Sequence, residues 1–208
     1  MAARSVESKP VSASSWRPST CASGVGEASG CGADVVVSGV GVGSGVAFPQ
    51  SRFVGFDFGE QAVAMANERV AEAGLDNVRF EVADAAELDR SDQFDLVTTF
   101  DAIHDQARPA DVLANIRAML RPGGTYLCVE PKASSQLGEM LDEPMAPFVY
   151  AMSTMHCMQV SLAYGGEGLG TAWGHQTATE YLTTAGFSDI EVTGVREDRA
   201  NSYFLARA

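Results

Sequence analysis

Short apolar runs that end on an acidic residue recur along the chain between residues 52 and 130. Each run predicts a β-strand. In an open parallel α/β sheet, ligands bind in the crevice beyond the carboxyl ends of the strands, so acids at these ends are expected to converge on one cleft. The runs are 52–57, 78–84, 94–101 and 126–130, and their last residues are Asp57, Asp84, Asp101 and Glu130.

The chemistry of these acids indicates what the cleft would bind. Ionised carboxylates only accept hydrogen bonds, so the ligand should be rich in donors. The hydroxyls of a ribose, the exocyclic amine of an adenine and a cationic ammonium or sulfonium are such groups. We therefore expect a nucleoside cofactor.

Helical periodicity separates the predicted strands. Apolar residues at helical spacing predict a helix over 61–73 that stops at Gly74. The same pattern predicts a helix over 109–120, with Pro109 in its first turn. Strands that alternate with helices in this way are typical of a doubly wound α/β fold, in which the sheet is mostly parallel.

The last part of the chain predicts one more helix and a pair of strands. Residues Thr177 to Glu180 form a capping-box pattern, which predicts a helix that begins there and stops at Gly186. The strands expected over 189–195 and 202–206 are too close in sequence for a helical crossover. They should therefore pair antiparallel, which puts an antiparallel last strand on the sheet.

Residues 1–46 differ in composition from the rest of the chain. They contain no Leu, Ile, Phe or Tyr and are dominated by Ser, Gly, Ala and Val. Such a segment buries too little apolar surface to offset the entropy lost on ordering. We expect most of it to be disordered and the folded domain to span 47–208.

Overall composition excludes several classes of function. The net charge is −13 and the sequence shows no Lys/Arg cluster, which argues against a nucleic-acid surface. No apolar run reaches the roughly 18–20 residues of a membrane span. The four cysteines form no C-x-x-C pair and have no histidine at zinc spacing. We expect a cytoplasmic protein that binds a small molecule and no metal, and homodimer formation stays open.

The order of elements and four short motifs resemble the class I S-adenosylmethionine-dependent methyltransferases, over roughly residues 48–208. The motifs are Phe-Val-Gly-Phe-Asp at 53–57, Val-Ala-Asp-Ala-Ala at 82–86, Phe-Asp-Ala-Ile-His-Asp at 100–105 and Leu-Arg-Pro-Gly-Gly at 120–124. The resemblance implies a Rossmann-like fold and S-adenosylmethionine as cofactor. It implies that Asp57 binds the ribose hydroxyls and that Asp84, followed by Ala85, meets the adenine amine. Asp101 would lie near the point of methyl transfer.

The stretches 100–106 and 155–166 are also similar to an actinobacterial group of small-molecule methyltransferases, which usually carries an N-terminal winged-helix domain. No such domain is visible in this sequence. The glycine loop after the first strand of the family would correspond to Gly41, Gly43 and Gly45, without the acid that normally precedes it. Residues 46–51 are too few for a crossover of at least about 10–12 residues with its helix. The first βα unit is therefore expected to be defective.

Candidates for catalysis and for substrate binding lie beyond the fourth strand. His104 could take a proton from a substrate hydroxyl or amine as general base, although many methyltransferases act by proximity and orientation alone. Methionines crowd residues 140–158, which suits a pocket for an apolar substrate. We expect the walls of that pocket to be Tyr150, His156 and Trp173.

Three functions compete at this point. The leading hypothesis is transfer of a methyl group from S-adenosylmethionine to a small-molecule acceptor. A nicotinamide-dependent dehydrogenase shares the acid after the second strand, but the chain has no G-x-G-x-x-G motif. The third is a non-catalytic methyltransferase remnant that binds no cofactor, which the short 46–51 connection would favour.

Overall fold

One seven-stranded sheet organises the chain, in the order β3-β2-β1-β4-β5-β7-β6. The computed structural model describes residues 34–37 and 42–208. The first five strands are parallel, and β7 pairs antiparallel with both β5 and β6. The strands are β1 (Asp34–Val37), β2 (Arg52–Asp57), β3 (Val78–Val82), β4 (Phe94–Phe100), β5 (Leu120–Pro131), β6 (Ser188–Val195) and β7 (Asp198–Arg207). This confirms the Rossmann-like fold with an antiparallel last strand.

Helices cover the sheet and build the segment between β5 and β6. They are α1 (Gly43–Ala47), α2 (Glu60–Glu72), α3 (Pro109–Met119), α4 (Leu137–Met140), α5 (Ala146–Met152), α6 (Met158–Ala163) and α7 (Gly174–Thr184). A single π-helical turn, Ser153–Cys157, joins α5 to α6. None of the helices in the described part of the chain combines the length and the apolar character needed to cross a bilayer.

The main core lies between the centre of the sheet and helices α3 and α7. Helix α3 buries Leu113 and Ile116, whereas Leu120, the last residue of the predicted helix, is the buried first residue of β5. Tyr126 of β5 is fully buried, stacks on Phe187 with 5.3 Å between ring centroids, and shares a 2.7 Å hydrogen bond between its hydroxyl and Thr99 Oγ1. Burial of these large side chains is the main stabilising contribution to the domain.

The capping-box prediction at Thr177 was wrong. Helix α7 begins at Gly174, so Thr177 lies inside its first turns. The backbone N–H of Thr177 donates instead to Ser135 Oγ at 3.0 Å, in the loop after β5. The N–H of Thr177, which a capping box would have paired with the side chain of Glu180, is therefore bound by a residue far away in sequence.

The sheet begins before the boundary that composition suggested at residue 47. Strand β1 pairs with β2 over four residues and with β4 over three, so it holds the central position of the parallel sheet. Residues 1–33 and 38–41 of the expected disordered segment lie outside the described residues. In the described part of the connection from β1 to the parallel strand β2, residues 42–51, the helix is α1, which has five residues. Helix α1 begins at Gly43, inside the expected glycine loop, so the crossover does not rest on residues 46–51 alone.

Charged side chains hold this short strand in place. The backbone N–H of Asp34 donates to Asp95 Oδ2 at 3.0 Å, at the start of β4. Arg121 donates to Asp34 Oδ2 at 2.9 Å and to Asp95 Oδ2 at 2.7 Å. Arg52 donates to Asp34 Oδ1 at 2.7 Å. Arg121 thus joins β1, β4 and β5 at the amino end of the sheet.

Replacing Arg121 with methionine is expected to lower the free energy of unfolding by about 1–3 kcal/mol. The carboxylate of Asp95, whose side chain is only 5% exposed, would lose its charged donor while staying buried. Urea denaturation of both proteins measures the change. Arg69→Met, at an exposed position of α2, is the matched control. Equal effects of the two substitutions would show that Arg121 contributes nothing specific to the sheet.

Acid should remove part of the same stabilisation. The hydrogen bond from Arg52, assisted by Arg121, lowers the pKa of Asp34 below its ordinary value of 3.8 against the opposing effect of burial. The unfolded chain therefore binds a proton at the Asp34 carboxylate more tightly than the folded chain does. The contribution of Asp34 to the free energy of unfolding is complete above pH 3.8 and disappears as the pH falls through the lowered pKa. The stability difference between the wild type and Asp34→Asn, measured by denaturation at several pH values, should therefore narrow in acid. A difference that is independent of pH would contradict this assignment.

Candidate functional site

A cleft of about 590 Å³ lies at the carboxyl ends of the parallel strands β2, β3 and β4. Its lining comes from the ends of these strands, from the loop over residues 101–108 and from helices α3 and α6. The topology explains the position, since parallel strands deliver their carboxyl ends to one edge of the sheet. Asp57, Asp84 and Asp101 all line this cleft, as expected. Glu130 does not belong to its lining.

Asp57 is the last residue of β2 and stands directly before the turn into α2. Its Oδ1 accepts a hydrogen bond from the backbone N–H of Gly59 at 2.7 Å. This bond fixes the orientation of the carboxylate. Its other oxygen, Oδ2, accepts no hydrogen bond from the described part of the chain, and the side chain is exposed to the cleft.

Asp84 follows β3 and is held from two sides. Its Oδ1 accepts from the backbone N–H of Ala86 at 2.8 Å, and Arg108 Nη2 donates to its Oδ2 at 3.2 Å. Arg108 also donates to Glu87 Oε1 at 3.0 Å, so it bridges the two acids across the rim. Ala85 lines the cleft beside them. Sequence reasoning missed Arg108, which carried no motif signal apart from standing directly before the helix-starting Pro109.

Asp101 follows β4 in the left-handed backbone region, with φ of 47°. Few residues other than glycine adopt this conformation, although aspartate does so more readily than most, as Asp92 and Asp189 also show. The backbone N–H of Asp101 donates to Val129 O at 2.9 Å, which fixes the start of the loop. Partial burial, with the negative charge of Glu130 nearby, raises the pKa of Asp101.

His104 lies behind the cleft rather than on its wall. Its side chain is 2% exposed, while its neighbours Ile103 and Asp105 line the cleft. Its Nδ1 pairs with Glu130 Oε2, and its Nε2 lies 3.3 Å from Asp105 Oδ1. Burial alone would lower the pKa of His104, but the hydrogen bond and the charge of Glu130 raise it. The role of His104 as general base stays a prediction, and its ring is not part of the cleft lining.

Glu130 anchors the loop between β4 and α3. It is 1% exposed, and its Oε1 accepts from the backbone N–H of Ile103 at 2.9 Å. Its other oxygen binds the ring of His104. The fourth acid of the sequence pattern is therefore a support of the cleft wall rather than part of the surface that a ligand would touch.

The described glycines of the expected cofactor loop do not reach the cleft. Gly41 lies outside the described residues, whereas Gly43 and Gly45 belong to α1 and are not among the lining residues. Gly45 packs so closely on Val78 that a Cβ atom would overlap that side chain. Because Val78 begins β3, this contact lies at the amino end of the sheet, opposite the cleft.

The three expected substrate residues are separated by the fold. Tyr150 lines a second hollow of about 410 Å³ between α4 and α5, and His156 is exposed. Trp173 is 6% exposed and packs edge-on against Tyr181 in the main core. None of the three lines the main cleft, because the helical insertion places them on other faces.

An aromatic pair that sequence reasoning missed stands at the mouth of the cleft instead. Phe58 and Tyr164 line the cleft and meet edge to face, with 6.1 Å between their ring centroids and 67° between their planes. Their exposed fractions are 69% and 70%. Two signals in the sequence could have indicated them, since Phe58 directly follows Asp57 and Tyr164 directly precedes the glycine-rich run that begins at Gly165.

Comparison with known proteins places this geometry in a family. Residues 30–186 match the sequence family described as a methyltransferase domain. Demethylmenaquinone methyltransferase from Bacillus cytotoxicus is 30% identical over 91 residues, which cover 43% of this chain and 38% of that protein. The match therefore spans well under half of that relative's length.

Solved structures show the same fold at lower identity. A S-adenosylmethionine-dependent methyltransferase from Aquifex aeolicus superimposes with a TM-score of 0.59 and 17% identity, over 84% of this chain and 81% of that chain. Human N-acetylserotonin methyltransferase, solved in complex with S-adenosylmethionine, gives a TM-score of 0.58 and 19% identity, over 84% of this chain and 46% of that chain. Since the family match covers more than half of the sequence, the chain belongs to the methyltransferase domain family and has the class I fold.

Proposed function

We propose that this chain binds S-adenosylmethionine in the main cleft and transfers its methyl group to a small-molecule acceptor. The observation that carries the proposal is the convergence of Asp57, Asp84 and Asp101 on one cleft at the carboxyl edge of the sheet. When bound, the cofactor supplies an electrophilic methyl group on a sulfonium. The chain's own residues hold the reactants and exclude water.

The described residues fit a nucleoside with many donors. Asp57 would accept from the ribose hydroxyls through the oxygen that the chain leaves unbonded. Asp84 would accept from the adenine amine, with Ala85 beside the ring and Arg108 holding the carboxylate in place. Both Asp57 and Asp84 favour a ligand rich in hydrogen-bond donors, because ionised carboxylates only accept hydrogen bonds.

The acceptor would enter past the aromatic pair Phe58 and Tyr164. Val160 lines the same side of the cleft, so this entrance is apolar. Exposed aromatic rings bind flat or apolar molecules well, since they offer a large contact area with little loss of conformational freedom. We propose an aromatic or otherwise apolar acceptor, and Tyr150, His156 and Trp173 would then act outside the acceptor site.

Positioning would supply most of the catalysis. Glu130 and His104 support the loop from Asp101 to Asp105 from behind, so the cleft wall is fixed before the ligands bind. Holding two reactants in line can lower the barrier by about 7–11 kcal/mol at most. A proton released by the acceptor would meet the carboxylates of Asp101 and Asp105, which line the cleft.

Calorimetry on the purified full chain tests this function. S-adenosylhomocysteine should bind with one site per chain, and NAD should not bind. Binding of NAD alone would favour the dehydrogenase alternative. A folded chain that binds neither nucleoside would overturn the proposal and support the non-catalytic alternative.

A further inference from the structure

Three side chains with different metal-ligating atoms meet beside the cleft. A ring nitrogen of His104, a carboxylate oxygen of Asp105 and the Sγ atom of Cys157 lie within 4.8 Å of one another. His104 and Asp105 belong to the loop after β4, and Cys157 ends the π-helical turn between α5 and α6. Isolated π-turns occur frequently at functional sites. The fold thus brings together residues that are more than fifty positions apart.

The surroundings of His104 direct one ring nitrogen at this cluster. Glu130 binds Nδ1, and Nε2 lies 3.3 Å from Asp105 Oδ1, which leaves Nε2 as the nitrogen available to the cluster. A carboxylate on the far nitrogen of a histidine is the usual arrangement around protein-bound metals, because it fixes the ring and makes the free nitrogen a better ligand. Glu130 is also buried and anchored by Ile103 N–H, so this support is rigid.

One oxygen of the cluster accepts no hydrogen bond of good geometry from the described residues. Asp105 Oδ1 is buried and forms no hydrogen bond within the described residues, although it lies 3.3 Å from His104 Nε2. Buried polar atoms without partners are rare, and a bound ion is one of the standard explanations. Next to it, Thr171 Oγ1 donates to Cys157 Sγ at 2.8 Å and fixes the orientation of that side chain. Burial raises the pKa of the Cys157 thiol, so a metal ion would displace its proton on binding.

We propose that His104, Asp105 and Cys157 form a binding site for a divalent transition metal, and that zinc is the ion this donor set favours. Imidazole, carboxylate and thiolate are all zinc ligands, with bonds of about 2.0–2.3 Å. A tetrahedral ion would need the ligand atoms about 3.3–3.8 Å apart, which small side-chain movements would achieve from the present spacing. Three protein ligands leave one position open, as in catalytic rather than structural zinc sites.

The open position would face the cleft, since Asp105 is part of the cleft lining. The ion would therefore present a coordination site to an oxygen of a bound molecule or to water. Metal binding itself does not depend on the proposed methyl transfer. Failure of the metal site would leave the nucleoside-binding test unaffected, and the two proposals can be overturned separately.

Cobalt binding tests the site with a spectroscopic signature. The full chain carrying Cys21→Ser and Cys31→Ser, stripped of metal with a chelator, is titrated with Co²⁺ and then with Zn²⁺. We expect one equivalent of Co²⁺, a thiolate-to-cobalt charge-transfer band, visible bands of tetrahedral cobalt, and displacement by Zn²⁺. Zinc should also raise the melting temperature of this protein.

Two variants connect the signal to the cluster. Cys157→Ser should abolish the charge-transfer band and weaken zinc binding at least tenfold, whereas Cys128→Ser, at a buried cysteine of β5 outside the cluster, should change neither. Asp105→Asn serves as a second test should Cys157→Ser fail to fold, and it should also weaken zinc binding at least tenfold. The absence of a charge-transfer band, or a band that survives in folded Cys157→Ser, would overturn the proposal.

Discussion

Replacing Asp57 with alanine should weaken binding of S-adenosylhomocysteine by about 100-fold or more. Its carboxylate would accept hydrogen bonds from two ribose hydroxyls, and hydrogen bonds to charged groups contribute about 1.5–3 kcal/mol each. Two such bonds exceed the 2.8 kcal/mol that correspond to a hundredfold change. Isothermal calorimetry on the purified full chain measures the affinity.

Two further variants separate the ligand contact from local structure. Asp57→Asn keeps an oxygen that can accept from Gly59 N–H, so it should preserve the turn before α2 and still weaken binding, though less than alanine does. Glu72→Ala removes an exposed acid near the other end of α2 and should leave binding unchanged. Wild-type affinity in a folded Asp57→Ala protein would show that the cofactor does not contact this residue.

Replacing Glu130 with alanine is expected to lower the free energy of unfolding by about 3–5 kcal/mol, the usual cost of breaking a buried ion pair. His104 would lose its partner while remaining buried, and the backbone N–H of Ile103 would lose its acceptor. The loop from Asp101 to Asp105, which forms part of the cleft wall, should become more mobile in this variant. Urea denaturation gives the stability change, and hydrogen exchange of the loop gives the local effect.

A graded series makes this result specific. Glu130→Gln keeps an oxygen for Ile103 N–H and removes only the charge, so its loss of stability should be smaller than that of alanine. Glu68→Ala, at an exposed position of α2, should change stability by less than about 0.5 kcal/mol. If Glu130→Ala were as stable as Glu68→Ala, the pair with His104 would contribute nothing to the fold.

The buried acid Glu130 and the exposed aromatic pair Phe58 and Tyr164 illustrate two different limits of prediction from sequence. Glu130 matched a pattern of strand-terminal acids, but register and burial turned it inward. The only sequence signals for Phe58 and Tyr164 were their positions next to Asp57 and Gly165, and the packing of α6 beside the cleft brings their ring centroids within 6.1 Å. Both outcomes depend on contacts between residues that are far apart in sequence.

The sequence by itself determined the class of fold and the edge of the sheet where a ligand would bind. Strand periodicity and strand-terminal acids are local signals that can be read from the sequence. In a parallel sheet the carboxyl ends of the strands lie at one edge, so the acids at these ends come close together. They were sufficient to place Asp57, Asp84 and Asp101 on one cleft. The antiparallel last strands followed equally directly from a connection too short for a crossover.

Only the tertiary structure decided which polar groups are accessible and which are supports. It placed the short strand Asp34–Val37 in the middle of the sheet, held by the charged contacts of Arg121, whereas composition predicted that most of residues 1–46 is disordered. It also buried His104 against Glu130 and brought Cys157 to Asp105. Burial and long-range pairing depend on how separate elements pack, so local patterns of residues carry little information about them.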